Sequence, residues 1–373
     1  MFDEASLRAF GALIVRMQLH QNLTREETHL AYRAILRNEQ PDLHQGAFIA
    51  ALRTKGETMD ELLGIVDGQD EEWNRHLSGH VTSPEPHLSI VGVGMDTLKT
   101  VNVSSGATII AAACGLYIHK IGGPGMTGVS GSGDAFTIMG CDPDADHEAV
   151  LRAVSEAHLG FSSIMGAPML KMGYLRVLGQ LRCGTPMHFA GPIAHQSGEK
   201  HKICGVPALP MTTVQCTAMK HLGYERALVP CGASDEHPGR FMDEISNLGT
   251  THIAELTASG DVIEYDVRPE DAGLKRASYD DVAPAKTAVE NVRIVARVIA
   301  GKVEGPVLDL LALNAASALK LMGKVPDLGT GVERAKEAVK SGAALEQIRN
   351  TIRAQNRDPA AGLAKLEALI EGR

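Results

Sequence analysis

A chain of 373 residues is longer than one ordinary hydrophobic core organises, and its 44% hydrophobic content fits a packed globular protein, so two lobes are expected. The formal net charge of −9 disfavours a general binder of nucleic-acid backbones, and no apolar run approaches the roughly 18 residues a membrane-spanning helix needs. The six cysteines show neither a C-x-x-C pair nor zinc-like spacing and read as reduced core thiols; with Asp3 and Glu4 where a basic leader would stand, a cytoplasmic protein without a membrane partner is expected.

In chain order, residues 5–80 form a helical lobe, because Leu7, Phe10, Leu13, Ile14 and Met17 recur at helical spacing and Thr24 with Glu27 and Thr58 with Glu61 carry the capping-box pattern. Pro84 and Pro86 then lead into the apolar Ile90 and Val91, a linker feeding a first strand. From residue 91 to about 265, short apolar runs such as 203–206 and 227–229 alternate with glycine turns and helical stretches, the pattern of an α/β lobe with a largely parallel sheet. The helical stretch 146–182 interrupts this alternation and is expected to return to the amino-terminal helices. The expected fold is therefore α/β, a small helical domain of 1–80 joined by 146–182 and a larger α/β domain of 81–373 with surrounding helices. From Thr287 onward the chain is helical again, and Asp358 with Pro359 makes a good final helix start.

The chemistry concentrates between Gly92 and Asp134. Gly92-Val93-Gly94-Met95-Asp96 follows a predicted strand, where glycines let backbone amides approach a phosphate. Thr100-Val101-Asn102-Val103-Ser104-Ser105 then opens an apolar helix, whose unpaired amides and positive dipole end make an anion site. After His119-Lys120 comes a glycine-dense loop, from Gly122 to Asp134, expected to exist for backbone contacts to a ligand, with Lys120 as a point charge beside it. Far downstream, Asp243-Glu244-Ile245-Ser246 offers adjacent carboxylates, read as exposed, of the kind that hold a Mg²⁺ carried by pyrophosphate. His188, His195 and His201 have loop spacing that matches no metal motif.

In this order the segments resemble the anthranilate phosphoribosyltransferase family, whose pattern is G-T-G-G-D, T-x-N-[IV]-S-[ST], K-H-G-N-R-x-x-S-S-x-x-G-S-A-D and D-E-[IL]-S. Ala190-Gly191-Pro192, the stretch 223–229 and Leu313-Asn314-Ala315-Ala316 extend the likeness over nearly the whole chain. The resemblance implies a homodimer formed through the helical domain, with phosphoribosyl pyrophosphate (PRPP) and Mg²⁺ bound between helical and α/β lobes. It implies that Gly92, Gly94, Asp96, Thr100, Asn102, Ser104, Ser105, Thr127 and Ser132 contact the donor. Lys120 would neutralise it, and Ser104, Asp243 and Glu244 would hold the metal. The implied reaction is Mg-dependent transfer of the phosphoribosyl group to an aromatic amine or heterocyclic acceptor, anthranilate in tryptophan biosynthesis or a related ring, with release of pyrophosphate.

The acceptor half departs from the pattern. Ile121, Gly123 and Pro124 replace the His, Asn and Arg of K-H-G-N-R, Leu175 replaces the first arginine of V-R-R-x-L-G, and His188 stands for Asn. Arg176, one residue on, is turned about 100° around its helix, so Arg176, Arg182 and His188 are acceptor candidates rather than direct replacements. Two other readings are a nucleoside phosphorylase-like enzyme and a non-catalytic nucleic-acid-binding relative. The first lacks its K-x-S-x-G-G loop here, and the second predicts loss of the acidic pair that Asp243 and Glu244 retain.

Overall fold

In the computed structural model, which describes residues 2–77, 79–125 and 128–372, the chain divides into two units: residues 1–79 with 167–196, and residues 80–166 with 197–373. The first unit is helical, with α1 (Glu4–Gln18), α2 (Arg25–Leu36), α3 (Asp42–Lys55) and α4 (Met59–His76) joined by the later α8 (Tyr174–Leu181) and α9 (Met187–Ala190). In α1 the expected stripe buries Phe10, Ile14 and Met17 and half-buries Leu7 and Leu13. Both capping boxes form at the starts of α2 and α4. The second carries more than a helix end. Glu61 is fully buried, accepts from the Leu23 amide at 2.8 Å and pairs with Lys55 at 2.7 Å, so it fastens α4 to the segment before α2.

The second unit is built on an eight-stranded sheet of β1 (Leu88–Gly92), β2 (Ile118–Gly122), β3 (Leu159–Ser163), β4 (His201–Gly205), β5 (Arg226–Ala233), β6 (Phe241–Met242), β7 (Thr251–Leu256) and β8 (Val262–Val267). The order is β3-β2-β1-β4-β5-β7-β8, with β6 paired to β5. The five strands from β3 to β5 are parallel, and β6, β7 and β8 add antiparallel pairs, so the sheet is mixed and mostly parallel. Around it lie α5 (Val103–Ala113), α6 (Ser132–Ile138), α7 (His147–Ala157), α10 (Pro210–His221), α11 (Tyr279–Val282), α12 (Ala288–Ile299), α13 (Pro306–Leu321), α14 (Leu328–Lys340), α15 (Ala343–Gln355) and α16 (Pro359–Glu371). Asp358 caps α16 through the Ala361 amide. The core joins α5, α12, α13 and α15 to one another beside the sheet. A Cβ at Gly106 would lie 2.6 Å from Leu311, which shows how closely α5 and α13 approach.

The helices expected to return over 146–182 are placed differently. The stretch that joins the first unit is 167–196, whereas α7 stays in the second, because Val150, Leu151, Ala153 and Val154 form a buried stripe against β3 and α15.

Strand order also marks where a ligand would bind. The chain runs from β1 to β2 and β3 on one side, then returns to β4 on the other side of β1. Such a reversal opens a crevice at the carboxyl ends of the two strands, the usual ligand position in parallel α/β sheets.

Candidate active site

Gly92 and Gly205 end β1 and β4 as a registered pair at this crevice. The acidic segment after β6 occupies the space their missing side chains leave: a Cβ on Gly92 would lie 2.1 Å from Asp243 Oδ2, and one on Gly205 only 1.5 Å from the Asp243 carbonyl oxygen. The Gly94 amide donates to Asp243 Oδ2 at 2.9 Å. Gly94 and Met95 both adopt left-handed backbone, with φ of 70° and 62°, so Met95 keeps a conformation suited to the glycine of the family pattern. The acidic segment is held from behind by Asn314 of α13, which accepts from the Ile245 amide at 2.9 Å and donates to its carbonyl at 2.8 Å, as a neighbouring strand would.

The acidic pair differs from the exposed pair the sequence suggested. Asp243 is buried, and Glu244 is half-buried. Burial, reinforced by Asp243 and Asp96, holds the Glu244 carboxyl well above the usual carboxylate range. Asp96 is pushed up to about 6, first by burial and then by Asp243, although Lys99 pairs with it at 2.6 Å. Asp96, Asp243 and Glu244 thus repel one another at the strand-end crevice, although among the described residues no three acidic, histidine or cysteine side chains are grouped closely enough to hold a metal ion by themselves.

Lys120 faces them from β2. Its side chain is wholly buried, and Nζ donates to the Ile90 carbonyl at 2.7 Å and to Ser104 Oγ at 3.4 Å. Burial lowers the ammonium to about 8, while Glu244 and Asp243 favour its charge. Ser104, in the first turn of α5, therefore links that turn to the lysine. Ser105 is fully buried, with its hydroxyl unpartnered among the described residues. Asn102 occupies the N-cap position without capping α5. Its amide group instead donates to the Ser130 and Gly131 carbonyls at 3.2 and 3.3 Å, which leaves the first-turn amides of α5 without a side-chain cap.

The glycine loop has an internal reason for its composition that was not anticipated. The Gly133 amide donates to the Gly123 carbonyl at 2.7 Å, and a Cβ at Gly131 would come within 2.3 Å of that same oxygen. Asp134 Oδ2 accepts from the Gly125 and Gly131 amides at 2.7 and 2.9 Å. The glycines therefore serve close packing of the loop on itself, whatever they also offer a ligand. Ser132 opens α6, with its hydroxyl against Gly122, and Thr100 donates to the adjacent Val101 carbonyl at 3.3 Å. Thr127 and the Leu175 side chain lie outside the described residues.

The remaining candidates belong to the first unit and are engaged within it. Arg176 donates to the Ile35 carbonyl and lies 3.3 Å from Asp42, its guanidinium lowered by burial. His188 Nδ1 accepts from the Thr185 amide at 3.0 Å, and Arg182 is exposed, donating to the Gly179 carbonyl. The structure thus gathers Gly92, Gly94, Asp96, Ser104, Lys120, Asp243 and Glu244, ties Asn102 to the loop, and leaves Arg176 and His188 in the helical unit. Sequence reading missed Lys99 and Gly205 and gave Asn314 no role. A lone asparagine in the apolar run of α13 was the one available signal.

Residues 85–345 match the family described as glycosyl transferase family, a/b domain, and residues 12–69 match its helical bundle domain. An anthranilate phosphoribosyltransferase of Anaeromyxobacter dehalogenans is 33% identical over 344 residues, 91% of this chain and 97% of its own length. One from Rhodopseudomonas palustris is 32% identical over 348 residues, covering 92% and 97%. Among solved structures, the anthranilate phosphoribosyltransferase of Thermus thermophilus is similar with a TM-score of 0.76 at 25% identity, covering 95% of this chain and 99% of that one. The Saccharomyces cerevisiae enzyme in complex with PRPP and Mg shares the fold with a TM-score of 0.78 at 24% identity, covering 94% and 98%. With its motifs in order and its likeness spanning both lobes, the chain belongs to the anthranilate phosphoribosyltransferase family and is a pentosyltransferase of that type.

Proposed function

We propose that this enzyme transfers the phosphoribosyl group of PRPP to the nitrogen of an aromatic amine or heterocyclic acceptor and releases pyrophosphate, with Mg²⁺ as cofactor. The observation that carries this reading is the buried Lys120 ammonium, 3.4 Å from Ser104 Oγ, facing the Asp243 and Glu244 carboxyls beside the uncapped start of α5. Lys120 and the α5 amides meet the negative charge of the donor's phosphates. Asp243, Glu244 and Ser104 are oxygen donors that fit Mg²⁺, which commonly takes one or two carboxylates and completes its shell with phosphate oxygens and water. When bound, the ion withdraws charge from the departing pyrophosphate. The acceptor nitrogen bonds to ribose C1 as the C1–O bond to pyrophosphate breaks. The protein's part is to align the two and to stabilise developing charge.

We assign the acceptor to anthranilate, as in tryptophan biosynthesis, or to a related ring, and favour a changed pocket. Ile121 is buried, and a Cβ at Gly123 would lie 2.8 Å from Ile164, so the positions where the family pattern has His and Asn carry no polar side chain here and border an apolar one. A homodimer through the helical unit and a cytoplasmic location complete the proposal. All six cysteines are free thiols, and among the described residues no helix is long and apolar enough to cross a membrane.

Thermal-shift and calorimetric titration with PRPP, with and without millimolar Mg²⁺, test the donor, because a ligand bound only by the folded state raises its melting temperature. Stabilisation that requires Mg²⁺ is expected, followed by pyrophosphate release with one of a panel of aromatic acids and heterocycles. Absence of PRPP binding would overturn the donor assignment. A kcat/KM for anthranilate above about 10⁴ M⁻¹s⁻¹, the low end of ordinary enzymes, would overturn only the changed acceptor.

A further inference from the structure

We propose that Asn291, on α12, is a positioning residue that seats the glycine loop and keeps the start of α5 open for the donor's phosphates; this rests on the donor reading above. Asn291 is 1% exposed, and all its side-chain polar atoms are engaged. Its Nδ2 donates to Asn102 Oδ1 and to Ser130 Oγ, both at 3.0 Å, and its Oδ1 accepts from the Ala285 amide at 3.0 Å. Ser130 Oγ donates in turn to Asn102 Oδ1 at 2.7 Å, while Asn102 Nδ2 reaches the Ser130 and Gly131 carbonyls. Every donor in this network has an acceptor, and Asn102 Oδ1 has both lone pairs occupied.

That saturation has a chemical consequence at α5. An asparagine at an N-cap normally accepts from the amide two or three residues on. Asn102 does not, because Asn291 and Ser130 hold its oxygen facing the loop. Without Asn291, the oxygen loses one of the two bonds that hold it toward the loop, with only Ser130 left to oppose its turning back to cap α5. Asn102 would then compete for the first-turn amides and the loop would lose one of its bonds at Ser130, so one substitution would weaken both sides of the donor site.

The test is calorimetric titration of PRPP at millimolar Mg²⁺ into the wild type, Asn291→Ala, Ser130→Ala and the double variant, with the ligand-free melting temperature of each measured alongside. Loss of one or two neutral hydrogen bonds predicts a PRPP Kd raised about tenfold in Asn291→Ala. Ser130→Ala breaks the network from the loop side and leaves every residue of α12 in place, and covers failure of the first variant to fold. Because both act on Asn102, their effects on Kd should combine to less than the product of the single changes. A lowered melting temperature with wild-type Kd would mean that Asn291 merely supports α12, and would overturn the inference while leaving the donor reading intact. Kd effects that multiply independently would overturn it as well. A wild type that binds no PRPP would remove the donor reading and the inference together.

Discussion

At Gly205 a single hydrogen decides whether the acidic segment can lie across the strand ends. The obstacle to a methyl group there is the Asp243 backbone oxygen at 1.5 Å, which no side-chain rotation can move aside. Gly205→Ala should therefore displace the acidic segment, cost about 1–3 kcal/mol as overpacking does, and remove turnover; urea denaturation with a pyrophosphate-release assay measures both. Asp243→Asn separates charge from packing. The amide oxygen can still accept from Gly94, and the lost charge relieves repulsion with Asp96 and Glu244, so the ligand-free fold should be as stable as the wild type or more so. Mg²⁺-dependent stabilisation by PRPP should nevertheless disappear. An Asn variant with wild-type pyrophosphate release would remove Asp243 from the metal site.

Alternation along β2 turns Lys120 toward the candidate site and the adjacent His119 toward the other face of the strand. His119 is buried, with Nε2 3.0 Å from Ser162 Oγ, and burial lowers its imidazole to about 3 although Glu199 opposes the shift. His87 and His147 are lowered by burial in the same way. The folded state binds fewer protons than the unfolded chain as pH falls below the ordinary histidine value. Stability present above about pH 6.5 is therefore lost progressively toward pH 3. His119→Gln, which can keep a hydrogen bond to Ser162, should shrink the difference between urea midpoints at pH 7.5 and pH 5, while His87 and His147 retain part of it. An unchanged difference would mean that His119 does not carry the acid sensitivity. Elements with local signals were legible: the capping threonines, the stripe of α1, the strand cores 203–206 and 227–229, and the Asp358 cap. Asn291, Asn314 and the tie of Asn102 to the loop were not, because their meaning lies in partners up to 189 residues away. The acidic pair read as surface for the same reason, since the two glycines that make room for it sit on other strands.

Across the whole molecule, the division into a helical and an α/β unit followed from the change of periodicity, but the boundary of the returning segment did not. α7 is as amphipathic as a helix of either unit, and only its contacts with β3 and α15 assign it to the second. The proposed homodimer concerns what the first unit leaves uncovered. Val15 is 52% exposed on the side of α1 opposite its buried Phe10, Ile14 and Met17, and Leu19, the residue that caps the end of α1, is 65% exposed; on α3, Leu43 is 86% exposed. Single exposed apolar residues are ordinary, but large ones on two helices of one small unit suit a surface that a second copy covers. Substituting Leu19→Glu and Leu43→Glu together places charges on that surface without entering the core, so helical content should remain. Light scattering after size exclusion should give twice the 39.6 kDa chain mass for the wild type and the single mass for the double variant. A monomeric wild type would refute the dimer, and a double variant that stays dimeric would move the interface away from α1 and α3.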